Sequence, residues 1–297
     1  MCTAFKFMDC FCRNFDYDVS YNEELIIIPS GEFDNKYSVI GIGTGFVPDF
    51  PLLYDGMNEY GLCCGGLAFS GNAFYDNPEN IQGDDSLLVP PYSFVFKVLG
   101  NFKTVSEVKK WLLKGIILVD KPYSDKMPNS DLHWFICDEK ESIIIEQTKF
   151  GLGIYDGDVL TNNPPYSLQL EMYNTCKENI GNISIDNSIT DSIYNTRGLE
   201  TLNLDGSYTS FGRFERIKYL KEKMEQAKTN HNKITQSFHL LSAIEQVTGA
   251  TPVKDKYEYT IYSVVYDMQN KTVWVKTYEK LCPTNFILTK QSERIKL

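Results

Sequence analysis

The chain has 297 residues, 42% hydrophobic and 23% charged, with 39 acidic against 29 basic side chains and a formal net charge of −10. That acidic balance, with no Lys/Arg block, argues against a nucleic-acid partner and against a polybasic membrane anchor. No apolar run approaches the length of a membrane span, and the opening Met-Cys-Thr-Ala-Phe-Lys-Phe-Met-Asp lacks the apolar stretch of a signal peptide, so a cytoplasmic location is expected. The composition is that of an ordinary globular protein with a sizeable core. Its 19 Tyr and 18 Phe could fill sheet layers or line an apolar pocket.

In chain order, Thr3–Phe7 and a stretch from Phe11 read as short extended segments. Leu25–Ile28 is β-branched and stops at Pro29, as a strand would, and Tyr37–Ile42 and Gly61–Phe69 look similar. Pro90-Pro91 opens a helix over Tyr92–Leu99, and Thr104 caps a second over Val105–Lys114. Leu132–Cys137 and Ser142–Thr148 form a strand pair around Asp138–Glu141, with Gly153–Tyr155 and Val159–Leu160 continuing the pattern. Pro165 begins a helix to about Lys177. The polar, Asn/Ser-rich stretch 178–206 reads as a surface excursion or an oligomer arm. Amphipathic helices follow at Arg213–Ala227 and Ile234–Val247. Tyr257–Tyr266 and Thr272–Thr277 read as a hairpin. Strands and helices come in blocks rather than in β-α-β alternation, which predicts an α+β fold of antiparallel sheets between helix layers. No composition break divides 1–297, so one domain is expected.

Of eight cysteines in a reducing compartment, the seven after Cys2 are expected to be mostly small core residues. Cys10/Cys12 and Cys63/Cys64 lack zinc-site spacing, and His133, His231 and His239 form no ligand cluster, so no metal or cofactor is expected. Cys2 is different. If Met1 is trimmed, a thiol and a free α-amine share one residue, a nucleophile beside a base that titrates near neutrality. If the chain turns at Met8–Cys10 and returns beside the first strand, Arg13 and Asp16 approach Cys2. Arg13 would then favour the thiolate, and Asp16 would accept a hydrogen bond from the amine. Read for themselves, Arg13 and Asp16 are equally a surface pair three apart, Asn162 a turn residue, and Arg213 an exposed helix cation.

Met-Cys-Thr at the start, Arg13-Asn-Phe-Asp16, Asn58-Glu-Tyr-Gly-Leu62, Gly66-Leu-Ala-Phe-Ser-Gly-Asn72, Leu160-Thr-Asn-Asn-Pro164 and Gly212-Arg-Phe214 together resemble the choloylglycine hydrolase family. Glu258-Tyr-Thr-Ile-Tyr-Ser263 adds to that likeness. This family groups bile salt hydrolases and penicillin V acylases among the N-terminal-nucleophile hydrolases. The resemblance implies a four-layer αββα sandwich and a catalytic set of Cys2, Arg13, Asp16, Asn162 and Arg213. Cys2 would be nucleophile and, through its amine, base. The Asn162 side chain and the Ala68 backbone N–H would form the oxyanion hole. The family's site-lining loops would fall near 45–50 and 122–128, so that Phe46, Phe50, Phe69, Tyr123 and Met127 would line the acyl pocket. The implied substrate is a linear amide between an apolar acyl group and a small polar amine. Glycine- or taurine-conjugated bile salts come first, and penicillin V, N-acyl amino acids or N-acyl lactones follow. The resemblance also implies a homotetramer. Where bile salt hydrolases usually carry Asn and penicillin V acylases Tyr, this chain has Ala68, which leaves the substrate subgroup open. The loop Leu204–Ser210 and the stretch before it also depart from the family pattern. If Met1 stays, a non-catalytic acyl-ligand binder becomes the competing expectation.

Overall fold

The computed structural model describes residues 1–44, 50–81, 87–125, 127–181 and 198–297. The first hairpin joins β1 (Cys2–Phe7) to β2 (Cys10–Tyr17), and the turn is made by Met8 in a left-handed conformation at φ 53°. Beside it run β12 (Val159–Leu160), β14 (Lys256–Asp267), β15 (Thr272–Thr277) and β16 (Thr284–Ile287), in the order β12-β1-β2-β14-β15-β16. A short β13 (Thr251–Val253) pairs with β14. A second antiparallel sheet has the order β11 (Gly151–Asp156), β10 (Ser142–Thr148), β9 (Leu132–Cys137), β6 (Cys63–Ala68), β5 (Leu53–Asn58), β4 (Val39–Thr44), β3 (Glu23–Ile28), β17 (Glu293–Lys296), while β7 (Leu88–Val89) and β8 (Ile117–Leu118) form a short parallel pair.

The two sheets face each other, and a helix layer covers the outer face of each. α1 (Phe94–Asn101) packs on β5 and β6, with α2 (Val105–Leu112) in the same apolar cluster. On the far side, α4 (Ser210–Lys223) and α5 (Asn230–Ser242) lie on β1, β2 and β14, and α3 (Tyr166–Cys176) packs against α4. This is the expected αββα sandwich. Thr104, Thr209 and Thr229 each cap a helix by accepting the N–H three residues on. Between the sheets, Phe11 stacks on Phe135 with ring centroids 5.9 Å apart. Burying each such ring contributes about 2–3 kcal/mol. Gly65 makes room for that packing, because a Cβ there would meet the Phe11 ring at 2.9 Å.

Some elements depart from the sequence reading. β5 was not foreseen because Leu53-Tyr-Asp-Gly-Met-Asn58 carries three residues depleted in strands; it forms because β4 and β6 pair with it on both edges. Val159–Leu160 does not extend the β9–β11 meander but crosses to the other sheet, opposite Ala4 and Phe5 of β1. α4 starts and ends earlier than expected, the chain turning extended at Met224. Of the polar stretch 178–206, the described flanks include short 3-10 turns at Lys177–Asn179 and Leu199–Thr201, and 182–197 lie outside the described residues. Among the described residues, no helix is long and apolar enough to cross a membrane.

Candidate active site

β1 and β2 pair with Cys2 opposite Phe15 and Ala4 opposite Arg13. Side chains alternate along a strand, so Arg13 and Asp16 leave β2 on opposite faces. Arg13 enters the space between the sheets and Asp16 faces the helix layer, and both flank the end of β1 that carries Cys2. Cys2 itself is buried, 5% exposed.

On the inter-sheet side, Arg13 Nη2 lies 3.5 Å from Cys2 Sγ and donates to the Gly66 carbonyl at 2.6 Å. Its Nη1 donates to the Tyr54 carbonyl at 2.7 Å and the Asp55 carboxylate at 2.5 Å. Asp55 also accepts from the hydroxyls of Tyr262 and Tyr266, each at 2.5 Å. Burial works against the Arg13 cation, but Tyr262, Cys2 and Asp55 together outweigh it and hold its pKa above the usual arginine value. Burial comes first for both tyrosines as well, and with Asp55 it pushes their pKa values up, keeping them as neutral donors.

On the helix side, Arg213 stands in the first turn of α4. A cation there opposes the helix dipole, and its partners supply the reason for its presence. Nη1 donates to the Cys2 carbonyl and to Thr3 Oγ1, both at 2.6 Å, and Nη2 donates to Asn162 Oδ1 at 2.8 Å. Burial pulls the Arg213 pKa down, and Asp16, with Oδ2 3.7 Å away, offsets part of that. The Asp16 carboxylate accepts from Thr260 Oγ1 at 2.6 Å and Gln246 Nε2 at 3.0 Å.

Asn162 closes the site from the turn after β12. Its Oδ1 accepts the Cys2 backbone N–H at 3.0 Å, and its Nδ2 donates to the Ala68 carbonyl at 2.8 Å. An amide nitrogen carries two hydrogens, and that bond uses one. Phe69 N–H donates to the Asp131 carbonyl, so by antiparallel alternation the Ala68 N–H points away from β9, to the side of its own carbonyl. Two donors, Asn162 Nδ2 and Ala68 N–H, therefore face the same edge of β6.

With Met1 in place the nitrogen of Cys2 is an amide. The terminal amine belongs to Met1, where burial lowers its pKa. It donates to the Asp16 backbone carbonyl at 2.6 Å and pairs with Glu258, so the bond expected from the amine to the Asp16 carboxylate is not made in this form.

A sequence model of the linear amide C–N hydrolases, choloylglycine hydrolase family, matches residues 2–289. The chain belongs to the choloylglycine hydrolase family. It is therefore a hydrolase of linear amide C–N bonds. A bile salt hydrolase/transferase from Lactiplantibacillus plantarum is 38% identical over 297 residues, which cover 94% of this chain and 90% of that protein. The crystal structure of a variant conjugated bile acid hydrolase from Clostridium perfringens superposes with a TM-score of 0.86 at 29% identity, covering 100% of this chain and 97% of the other. A penicillin V acylase from Agrobacterium tumefaciens shares the fold, with a TM-score of 0.76 at 18% identity over 99% of this chain and 91% of the other.

Two of the expected acyl-pocket residues, Phe50 and Tyr123, come together, with ring centroids 6.5 Å apart. Phe50 is half-buried, edge-on to Tyr92 and Phe96 with centroids 5.7 Å from each, and Tyr123 packs edge-on to Tyr92 at 5.5 Å. Met127, a few residues after Tyr123, is half-buried, its N–H bonded to the Ser124 carbonyl. Phe69 is a correction. It is fully buried and stacked on His133, one residue past the end of β6, where its N–H still pairs with the Asp131 carbonyl, and it offers no exposed surface to a substrate. Phe46 lies outside the described residues. A cavity of about 270 Å³ is lined by Tyr259, Ile261 and Tyr262 together with Glu23 and Leu297. Among the described residues, no group of three or more His, Cys, Asp or Glu is placed to hold a metal ion.

Sequence reasoning missed Asp55, Tyr262 and Tyr266, although Tyr262 lies inside one of the family runs. It also missed His133, Glu146 and Gln169. The one available signal was polar residues inside otherwise apolar strand runs, such as Leu132-His-Trp-Phe-Ile-Cys137.

Proposed function

We propose that the chain, once Met1 is removed, cleaves the amide of glycine- or taurine-conjugated bile salts with Cys2 as nucleophile. The observation that carries this is the convergence of Arg13 on the Cys2 thiol with Asn162 and Arg213 on its main chain. The relatives named for bile salt hydrolysis support the substrate class. A nearby cation favours thiolate over thiol. The Cys2 sulfur attacks the amide carbonyl carbon, and the oxyanion is held by Asn162 Nδ2 and the Ala68 N–H. The C–N bond then breaks, the Cys2 α-ammonium protonates the departing nitrogen, and a thioester remains. Water, deprotonated by the same amine, opens the thioester and releases the free acid. Asp16 and Arg213 set the charge around the amine. Ala68 supplies the peptide donor as well as Asn would. What it lacks is a side-chain contact to substrate.

Family membership also supports a homotetramer, which light scattering would read directly. The test of function is a hydrolysis panel of glycine and taurine conjugates, penicillin V and N-acyl amino acids. Release of glycine or taurine as the fastest reaction supports the reading, and activity on penicillin V alone overturns it.

A further inference from the structure

We propose that His133 is a positioning residue that sets the two oxyanion donors, Asn162 and Ala68, at a fixed spacing; this rests on the assignment of those donors above. His133 stands on β9, fully buried on the face between the sheets. Its Nε2 lies 2.9 Å from the Thr161 carbonyl and its Nδ1 3.0 Å from Glu146 Oε1. Its ring stacks on Phe69, with centroids 4.3 Å apart and planes 10° from parallel. Thr161 is the residue before Asn162, and Phe69 the residue after Ala68. One ring thus touches the neighbours of both donors, which come from different sheets.

The proton count fixes how the ring is held. A carbonyl oxygen only accepts, so Nε2 must carry a hydrogen. The other nitrogen meets Glu146, whose two oxygens also accept the Tyr166 N–H at 3.0 and 3.2 Å. A single shared proton completes the Nδ1–Glu146 bond, whichever of the two atoms bears it. Glu146 in turn ties the ring to the first residue of α3. The Thr161–Asn162 turn is braced from its other side. Gln169 Nε2 donates to the Asn162 and Pro164 carbonyls at 2.6 Å each, and Ser210 Oγ accepts the Asn162 N–H at 2.8 Å. A buried imidazole costs desolvation that an apolar side chain would not. What it adds here is a directed bond to the donor-bearing turn. A ring placed only to fill the core would need neither that bond nor the carboxylate behind it.

The test is His133→Phe combined with Glu146→Gln. This pair keeps the ring stack and the acceptor for Tyr166, leaves no unpaired charge, and deletes the bond to Thr161. On a glycine-conjugated bile salt we expect kcat to fall by about tenfold to a hundredfold, the scale of a misplacement near 1 Å, with KM within about twofold. Glu146→Gln alone should stay within about threefold, because its amide can donate to Nδ1 while Nε2–H still reaches Thr161. A double variant with undiminished kcat, or one whose only change is a raised KM, overturns the proposal. Asn162→Ala run in parallel separates the two layers. If Asn162→Ala also keeps full kcat, the oxyanion assignment fails and the role of His133 falls with it; if Asn162→Ala loses kcat while the double variant does not, only the role of His133 fails. Should the double variant not fold, nitrogen-15 spectra of the histidines in the wild-type enzyme decide, with only three histidines to assign. A proton on Nε2 of His133 agrees, and a bare Nε2 overturns it.

Discussion

Arg13 Nη2 ends 3.5 Å from Cys2 Sγ, and the same guanidinium is clamped by Asp55 at 2.5 Å from the neighbouring sheet. The cation beside Cys2 is therefore held by the packing of one sheet on the other, not by the strand that carries it. A planar fork with several donors is needed to meet Asp55, Tyr54, Gly66 and the thiol together.

Arg13→Lys should therefore fail as a conservative change. Losing one charge-assisted bond, about 1.5–3 kcal/mol, lowers kcat/KM by about ten- to a hundredfold. It should also slow alkylation of Cys2 by iodoacetamide. Equal alkylation rates in both proteins would remove Arg13 from the role.

Asp55→Asn strands a buried guanidinium and loses the strongest acceptor of two tyrosine hydroxyls. The expected cost is about 3–5 kcal/mol, visible as a drop of many degrees in Tm. Tyr266→Phe, which removes one neutral donor, should cost about 1–2 kcal/mol. Calorimetry that found the two changes equal would contradict the network.

Retaining Met1 should silence the enzyme. With residue 1 attached, the nitrogen of Cys2 is an amide bonded to Asn162 and has no basic lone pair to pass a proton. A chain whose N-terminal extension cannot be removed should turn over at least about a hundredfold more slowly than the trimmed one, the scale of general acid–base catalysis. Intact mass with activity on the same sample reads this. Full turnover with Met1 present would sink the mechanism. Cys2→Ser and Cys2→Ala should release no glycine.

Away from the site, Asp158 is flanked by Lys218 and Lys221, with Nζ atoms 2.7 Å from its carboxylate oxygens. Burial alone would raise its pKa, but Lys221 and Lys218 together win and bring it down to about 2. A carboxylate depressed below its unfolded value stabilises the fold above that value and ceases to do so as pH falls through the folded one. Asp158 is 42% exposed, so its contribution is screened to about 1 kcal/mol. Asp158→Asn should lower Tm at pH 7, and the gap from wild type should narrow between pH 4 and pH 2. A gap that widened over that range would refute the assignment.

The amino-acid sequence by itself determined the layered α+β plan, most strands and helices, and the Thr104 cap. Periodicity and capping are local, so they survive in a linear reading. The β1–β2 turn also followed from the sequence, and with it the approach of Arg13 and Asp16 to Cys2. Their arrival on opposite faces follows from the period of a strand. Only the tertiary structure decided what each one meets. Asp55 reaches Arg13 from a strand whose Asp, Gly and Asn disguise it, 42 residues away. Asn162 reaches Cys2 across 160 residues because β12 crosses to the other sheet. Phe69 reads as a pocket aromatic, yet the stacking of two sheets turns it into the core against His133. Burial, proton sharing and the pairing of charges depend on which layers close over which strands. That closure is a long-range property, and no local pattern of residues encodes it.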